Sequence, residues 1–228
     1  DEESACLACV LPFNANDPSG AGGLSSDAVA MASVGAHCMP ICTGTYVRDT
    51  SGITDFFALD DEAVHDQARA VAEDVPVQVI KVGFVGTPES LAVIAELSDD
   101  YDGVPVVAYM PNLSWWEEDK IDAYLDAFRE LLLPQTSVLV GHHSTLRRWL
   151  LPDWSGERNP GPRDIAKAAA ELAQRPLVGG YTTVETVKTV AATLLDKDGG
   201  YLSNDLAPPG LWLDNMPSWE YGVLVQVR

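Results

Sequence analysis

The chain is 228 residues long, 46% apolar and 21% charged, enough for one α/β domain with a sizeable core. Its 34 acids against 14 Lys and Arg give a formal charge of −20, which repels nucleic acid and acidic membrane surfaces. No apolar run nears the ~20 residues of a membrane span, and the opening Asp1-Glu2-Glu3-Ser4 reverses a basic leader, so the expected location is the cytoplasm.

Residues 5–13 are nearly all apolar, as in a strand covered on both faces of a parallel sheet. A turn-rich loop, 14–23, leads into helical spacing over 24–34, with Gly35 as its stop. The alternation continues with strand 39–45, helix 61–72, strand 77–82, helix 88–97 and strand 104–109. Helix 118–133, strand 137–140, helix 163–174 and strand 176–178 complete it. This order predicts a mostly parallel central sheet with helices on both faces, and functional loops at the carboxyl ends of the strands. After Val184 the pattern changes: 191–195 and 200–202 flank Asp198-Gly199 and read as a small antiparallel edge. The expectation is a single domain over 1–228, divergent or truncated from about residue 184.

Acid clusters such as Asp60-Asp61-Glu62 and Glu117-Glu118-Asp119 stand at predicted helix starts, where carboxylates suit the helix dipole and form a solvated face. Cys6, Cys9, Cys38 and Cys42, with His37, invite a zinc reading, but each pair lies in an apolar run and reads better as buried thiols. His142-His143 lacks further ligands at metal spacing, so no metal site is expected. Trp115-Trp116, Trp149, Trp154, Trp212 and Trp219 read as packing or interface anchors.

The most informative stretch runs from Asn16 to Asp27, reading N-D-P-S-G-A-G-G-L-S-S-D between a buried strand and an amphipathic helix. Its glycines let backbone approach a ligand, and it is neither a Walker loop nor a G-x-G-x-x-G fingerprint.

This loop resembles the D-P-S-G-G-A-G-I-Q-A-D opening of the hydroxymethylpyrimidine and phosphomethylpyrimidine kinases of thiamine biosynthesis. The resemblance continues through Met31 to His37, Thr43, Asp49-Thr50-Ser51-Gly52, the K-I-G-M-like Lys81-Val82-Gly83-Phe84, and Leu131-Leu132-Leu133-Pro134. It covers roughly the first 140 residues well. It implies a ribokinase-like fold, ATP and Mg as cofactors, a small pyrimidine or thiamine precursor as ligand, and a homodimer. By the same resemblance Asp27 contacts substrate, Asp17, Gly20, Gly22 and Gly23 form the loop around it, and Gly83 stands beside the ring. Phe84 replaces the family's methionine there and offers a ring to stack on an aromatic ligand. Arg48 replaces a glutamine and turns the pocket toward a more anionic ligand.

The kinase half departs. The family's D-P-V-M aligns with Tyr109-Met110-Pro111-Asn112, its T-P-N-x-x-E-A with Val140 to Leu146, and its K-G-G-H with Val178-Gly179-Gly180-Tyr181. No G-T-G-C or G-A-G-D follows, and loss of such an anion hole costs on the order of 10²-fold or more in phosphoryl transfer. The expectation is therefore a kinase homologue impaired in transfer, acting by binding or regulation. The alternatives are an active ATP-dependent kinase and an oligomerisation scaffold.

Overall fold

The computed structural model describes residues 8–173, all within one compact unit, 1–176. The strand expected over 176–178 and the edge strands expected over 191–195 and 200–202 lie outside the described residues, as do Cys6, Trp212 and Trp219.

Among the described residues seven strands form one mixed sheet, with six α-helices around it. In chain order these are β1 (Cys9–Asn16), α1 (Gly23–Ser33), β2 (His37–Cys38), β3 (Ile41–Arg48), β4 (Ile53–Ala58) and α2 (Asp61–Ala72). They continue with β5 (Val79–Val82), α3 (Pro88–Asp100), β6 (Val106–Met110), α4 (Glu118–Ala127), β7 (Val138–Gly141), α5 (His143–Leu150) and α6 (Pro162–Leu172). The order across the sheet is β4-β3-β1-β5-β6-β7, with β2 also on β1. All pairs are parallel except β3 with β4. Among the described residues the antiparallel pairing is that of β4, a strand whose mostly exposed side chains hide it from a hydrophobic pattern.

β1 is central because it is buried on both faces: Leu11, Phe13 and Ala15 are fully buried on one, and Asn14 is buried on the other. β2 and β3 lie along the same neighbour and are separated by Met39-Pro40, where proline has no N–H for the ladder. The β1–β3 register shifts between Asn14 and Asn16, and this bulge bends the strand end where the loop departs.

The partners Pro12, Lys81, Val107 and Val138 share one face of the sheet, and α1 lies on it, since its Asp27 meets Asn14 and Lys81. On that face Tyr109, Val138 and Val140 are exposed toward β7. Leu11, Ile80, Val82, Val106 and Ala108 occupy the opposite, buried face. α2 and α3 pack side by side, burying Val64, Ala68 and Ala72 from α2 and Leu91, Ile94 and Leu97 from α3, each large side chain contributing roughly 1.5–3 kcal/mol. Asp60 caps α2 by accepting from the Glu62 amide at 3.1 Å, and Thr87 caps α3 by accepting from the Ser90 amide at 3.1 Å with Pro88 at the first position. The helix expected over 118–133 is α4 followed by a π-turn, Phe128–Leu132, and a 3₁₀ turn, Leu133–Gln135.

Strand order reverses at β1, whose neighbours β3 and β5 lead away in opposite directions. Open α/β sheets carry their ligand crevice at such a switch point, at the carboxyl ends of the strands. The loop after β1, the end of β3 and the segment after β5 meet there.

Candidate functional site

The glycine loop is built around Asp17. Its Oδ1 accepts from the Ser19 amide at 2.9 Å and the Ser19 hydroxyl at 2.7 Å, and its carbonyl accepts from the Gly20 amide at 3.1 Å. This turn swings the chain back so that α1 can begin at Gly23. Gly23 has φ +63°, and a Cβ there would lie 2.4 Å from the Ala15 carbonyl and 2.9 Å from the Asp17 Cβ. Glycine is required at that position by both backbone angle and space. At Gly22 a Cβ would stand 3.3 Å from Asp17 Oδ2, so the loop also wraps its own carboxylate closely.

Asp27 sits one turn into α1 with both oxygens engaged. Oδ1 accepts from Lys81 Nζ at 2.6 Å, and Oδ2 accepts from Asn14 Nδ2 at 2.9 Å. Burial pushes the nearby Cys38 thiol up from its ordinary range; the charge of Asp27 adds to this and Lys81 opposes it.

Arg48, at the end of β3, reaches back to the loop. Its Nη1 stands 3.1 Å from Asp17 Oδ2, and its Nε donates to the Asp49 carbonyl at 3.1 Å. The cation expected to favour an anionic ligand therefore has a carboxylate partner within the protein. Each acid of the crevice is paired with one base, Asp17 with Arg48 and Asp27 with Lys81.

Gly83 and Phe84 follow β5. The Gly83 amide donates to the Phe13 carbonyl at 2.7 Å, and a Cβ on Gly83 would fall 2.4–2.6 Å from the Asn14 side-chain amide. The Phe84 amide donates to Asn14 Oδ1 at 3.1 Å, while the Phe84 carbonyl accepts from Thr43 Oγ1 at 2.9 Å. The Phe84 ring is only 2% exposed. Tyr46, Phe56, Trp115, Trp116 and Tyr124 surround it at centroid distances of 4.8–5.6 Å. The ring expected to stack on a ligand is thus the hub of an aromatic cluster, and the half-buried Tyr46, Trp115 and Trp116 form the cluster's outer side. Burial pushes the Tyr46 hydroxyl well above its ordinary range, with Tyr124 and Asp17 adding and Arg48 opposing. Tyr124 is also shifted up by burial, and its hydroxyl accepts from the Val85 amide at 3.3 Å.

The sequence-predicted residues Asp17, Gly20, Gly22, Gly23, Asp27, Arg48, Gly83 and Phe84 come together at this one end of the sheet, linked by the contacts above. Two further members, Asn14 and Lys81, escape sequence reasoning. Asn14 has the look of a loop's first residue, and Lys81 stands out only as one letter of a K-I-G-M-like stretch.

The ends of β6 and β7 are different. The Asn112 side chain accepts from the Ser114 amide at 3.0 Å, and its carbonyl accepts from Trp115 Nε1 at 3.1 Å, so this segment is a closed turn. His142 caps α5, its Nδ1 accepting from the Ser144 amide at 3.3 Å. The residues at these two strand ends, Tyr109 to Asn112 and Gly141 to His142, include no carboxylate to hold Mg, so they fit a metal–nucleotide site poorly. Among the described residues no group of three or more His, Cys, Asp or Glu side chains converges, and no helix is long and apolar enough to cross a membrane.

Residues 133–228 match the family model described as an uncharacterized protein conserved in bacteria (DUF2333). The chain is 27% identical over 163 residues to the hydroxymethylpyrimidine/phosphomethylpyrimidine kinase of Streptomyces coelicolor, covering 72% of this chain and 59% of that protein. It is 30% identical over 172 residues to the enzyme of the same name from Mycobacterium bovis, again covering 72% of this chain and 59% of the relative. The chain thus spans about three fifths of the length of these curated relatives. Among solved structures, the phosphomethylpyrimidine kinase of Clostridium difficile 630 superposes with a TM-score of 0.60 at 20% identity, over 73% of this chain and 72% of that one. The fold is ribokinase-like, and the chain is similar to the hydroxymethylpyrimidine/phosphomethylpyrimidine kinases as a divergent relative of them.

Proposed function

We propose that the crevice at the ends of β1, β3 and β5 binds a small aminopyrimidine of thiamine metabolism, and that this chain transfers phosphoryl groups weakly or not at all. Its role on this reading is pyrimidine binding or regulation. The observation that carries the binding half is the Asp27 carboxylate, held by Lys81 and Asn14 at the lip of the Asp17–Gly23 loop. An ionised carboxylate so placed accepts hydrogen bonds from an exocyclic amine. Asp17, Gly20, Gly22 and Gly23 shape the loop around the ligand, Gly83 leaves room for the Asn14 side chain that holds Asp27, and Arg48 stands at the end of β3, with Phe84 packed behind Tyr46 and Trp115.

The transfer half rests on the strand ends that should handle ATP and Mg. The closed turn after β6 and the capping histidine before α5 supply no acid. The stretch where the kinase motifs cease is also where the DUF2333 match lies. ATP is the donor that the relatives' name implies, and phosphoryl transfer depends on charge stabilisation, for which the turn after β6 and His142 offer no carboxylate-held metal. A cytoplasmic location and a homodimer belong to the same proposal.

The test is calorimetric titration with hydroxymethylpyrimidine and its monophosphate, followed by mass-spectrometric detection of phosphorylated product with MgATP, using Asp27→Ala as control. Saturable binding lost in the variant, without product, is the expected result. Product that disappears in Asp27→Ala establishes an active kinase instead, and no binding of either pyrimidine overturns the reading in favour of a scaffold.

A further inference from the structure

The Asn14 side chain touches three parts of the crevice at once. Oδ1 accepts from its neighbour Ala15 amide at 2.9 Å and from the Phe84 amide at 3.1 Å, and Nδ2 donates to Asp27 Oδ2 at 2.9 Å. Backbone amides only donate, so the two of them fix which end of the side chain is oxygen, and the NH₂ group is left facing Asp27. The side chain is buried within β1, the central strand, and therefore has no freedom to turn away. Its atoms fill the space where Gly83 would carry a Cβ, which locks β1 to the segment after β5.

We propose that Asn14 is a positioning residue for the site, setting the orientation of the Asp27 carboxylate and tying it to the Gly83–Phe84 backbone. This rests on the pyrimidine-binding reading for its functional consequence, though the node itself does not. Lys81 alone supplies charge to Oδ1 but leaves the carboxylate able to swing about that contact. The second bond, from a side chain fixed by two backbone amides, removes that freedom.

The test exploits the near-identical shapes of Asn and Asp. Asn14→Asp keeps the acceptor for the Ala15 and Phe84 amides, deletes the donor, and places a second carboxylate against Asp27. Two carboxylates so close raise the folded-state pKa of the pair above the unfolded value of about 3.9. The folded state then binds more protons than the unfolded state in that window, so stability falls as pH rises. Expected is a Tm deficit relative to wild type that is small near pH 4 and widens toward pH 7, with hydroxymethylpyrimidine binding at pH 7 weakened more than 10-fold. The exchanged pair, Asn14→Asp with Asp27→Asn, restores donor to acceptor with the charge unchanged. Its Tm returns toward wild type and loses the added pH slope, while binding stays lost because the carboxylate now stands at position 14.

A pH profile for Asn14→Asp parallel to wild type, or an exchanged pair no more stable than the single variant, overturns the proposal. Folding of Asn14→Asp at pH 4.5 but not at pH 7 supports it. Rescue by the exchanged pair in a protein whose wild type binds no pyrimidine supports the node and overturns the ligand.

Discussion

Arg48 and Asp17 meet at 3.1 Å with the Asp17 side chain only 1% exposed and the Arg48 side chain 19% exposed. A carboxylate so deeply placed depends on its partner, because desolvation costs it more than it costs the arginine. Asp17 keeps its Ser19 hydrogen bonds when Arg48 is removed, and Arg48 is partly in water, which tempers the loss. Arg48→Ala should destabilise the protein by about 2 kcal/mol, measured by urea denaturation. An unchanged midpoint would mean that the pair contributes nothing to the loop.

The Lys81–Asp27 contact is half-buried and should respond to salt. Lys81→Met removes roughly 1 kcal/mol at low ionic strength by analogy with partly exposed pairs. The difference from wild type should shrink in 1 M NaCl, where the Debye length is about 3 Å. A deficit equal at both salt concentrations would point to packing of the lysine stem instead.

Two glycines of one loop separate backbone strain from steric conflict. Gly20 has φ +72° with nothing within 4 Å of a Cβ, whereas Gly23 has φ +63° and a carbonyl 2.4 Å from that position. Gly20→Ala should cost about 1 kcal/mol, from the left-handed conformation alone. Gly23→Ala should cost well beyond that and abolish pyrimidine binding, since the start of α1 must shift. Equal denaturation midpoints for the two variants would contradict this ordering.

Asp49 governs the turn between β3 and β4. Its carboxylate accepts from the Ser51 hydroxyl at 2.6 Å, the Ser51 amide at 2.8 Å and the Gly52 amide at 2.9 Å, which lower its pKa from 3.8 to about 2. A depressed folded pKa means the contribution is present above the unfolded value and fades as pH falls from about 4 to about 2. Hydrogen exchange of the Ser51 and Gly52 amides, corrected for intrinsic rates, should lose protection across that window in wild type. Asp49→Asn should show little such change.

Much of the architecture is legible in the sequence because strand and helix periods alternate cleanly. Leu11, Phe13, Ile80 and Val82 mark buried strands by composition alone, and the glycine loop announces where the crevice lies. β4 is not legible, because Thr54, Asp55 and Phe57 face solvent on an edge and carry no inward pattern. Asn14 hides because a polar residue at the end of an apolar run looks like the beginning of a loop, while its partners stand 13 and 70 positions away. Motif resemblance is enough to bring Phe84 and Arg48 into the crevice. Neither Phe84's enclosure by five rings nor Arg48's commitment to Asp17 is a property that local sequence records.

α1 carries Asp27 yet has no fully buried residue, in contrast to α2 and α3. Its adhesion to the sheet leans on a few polar links, whereas β1 beneath it is shut within the core. Such a segment opens at a lower free energy than the molecule as a whole, so the crevice can come apart while the sheet stays intact. Any ligand that needs Asp27 in place then binds only the closed fraction, and its apparent affinity carries that fraction as a factor. Recognition through Asp27 would in that sense be partly an act of local folding.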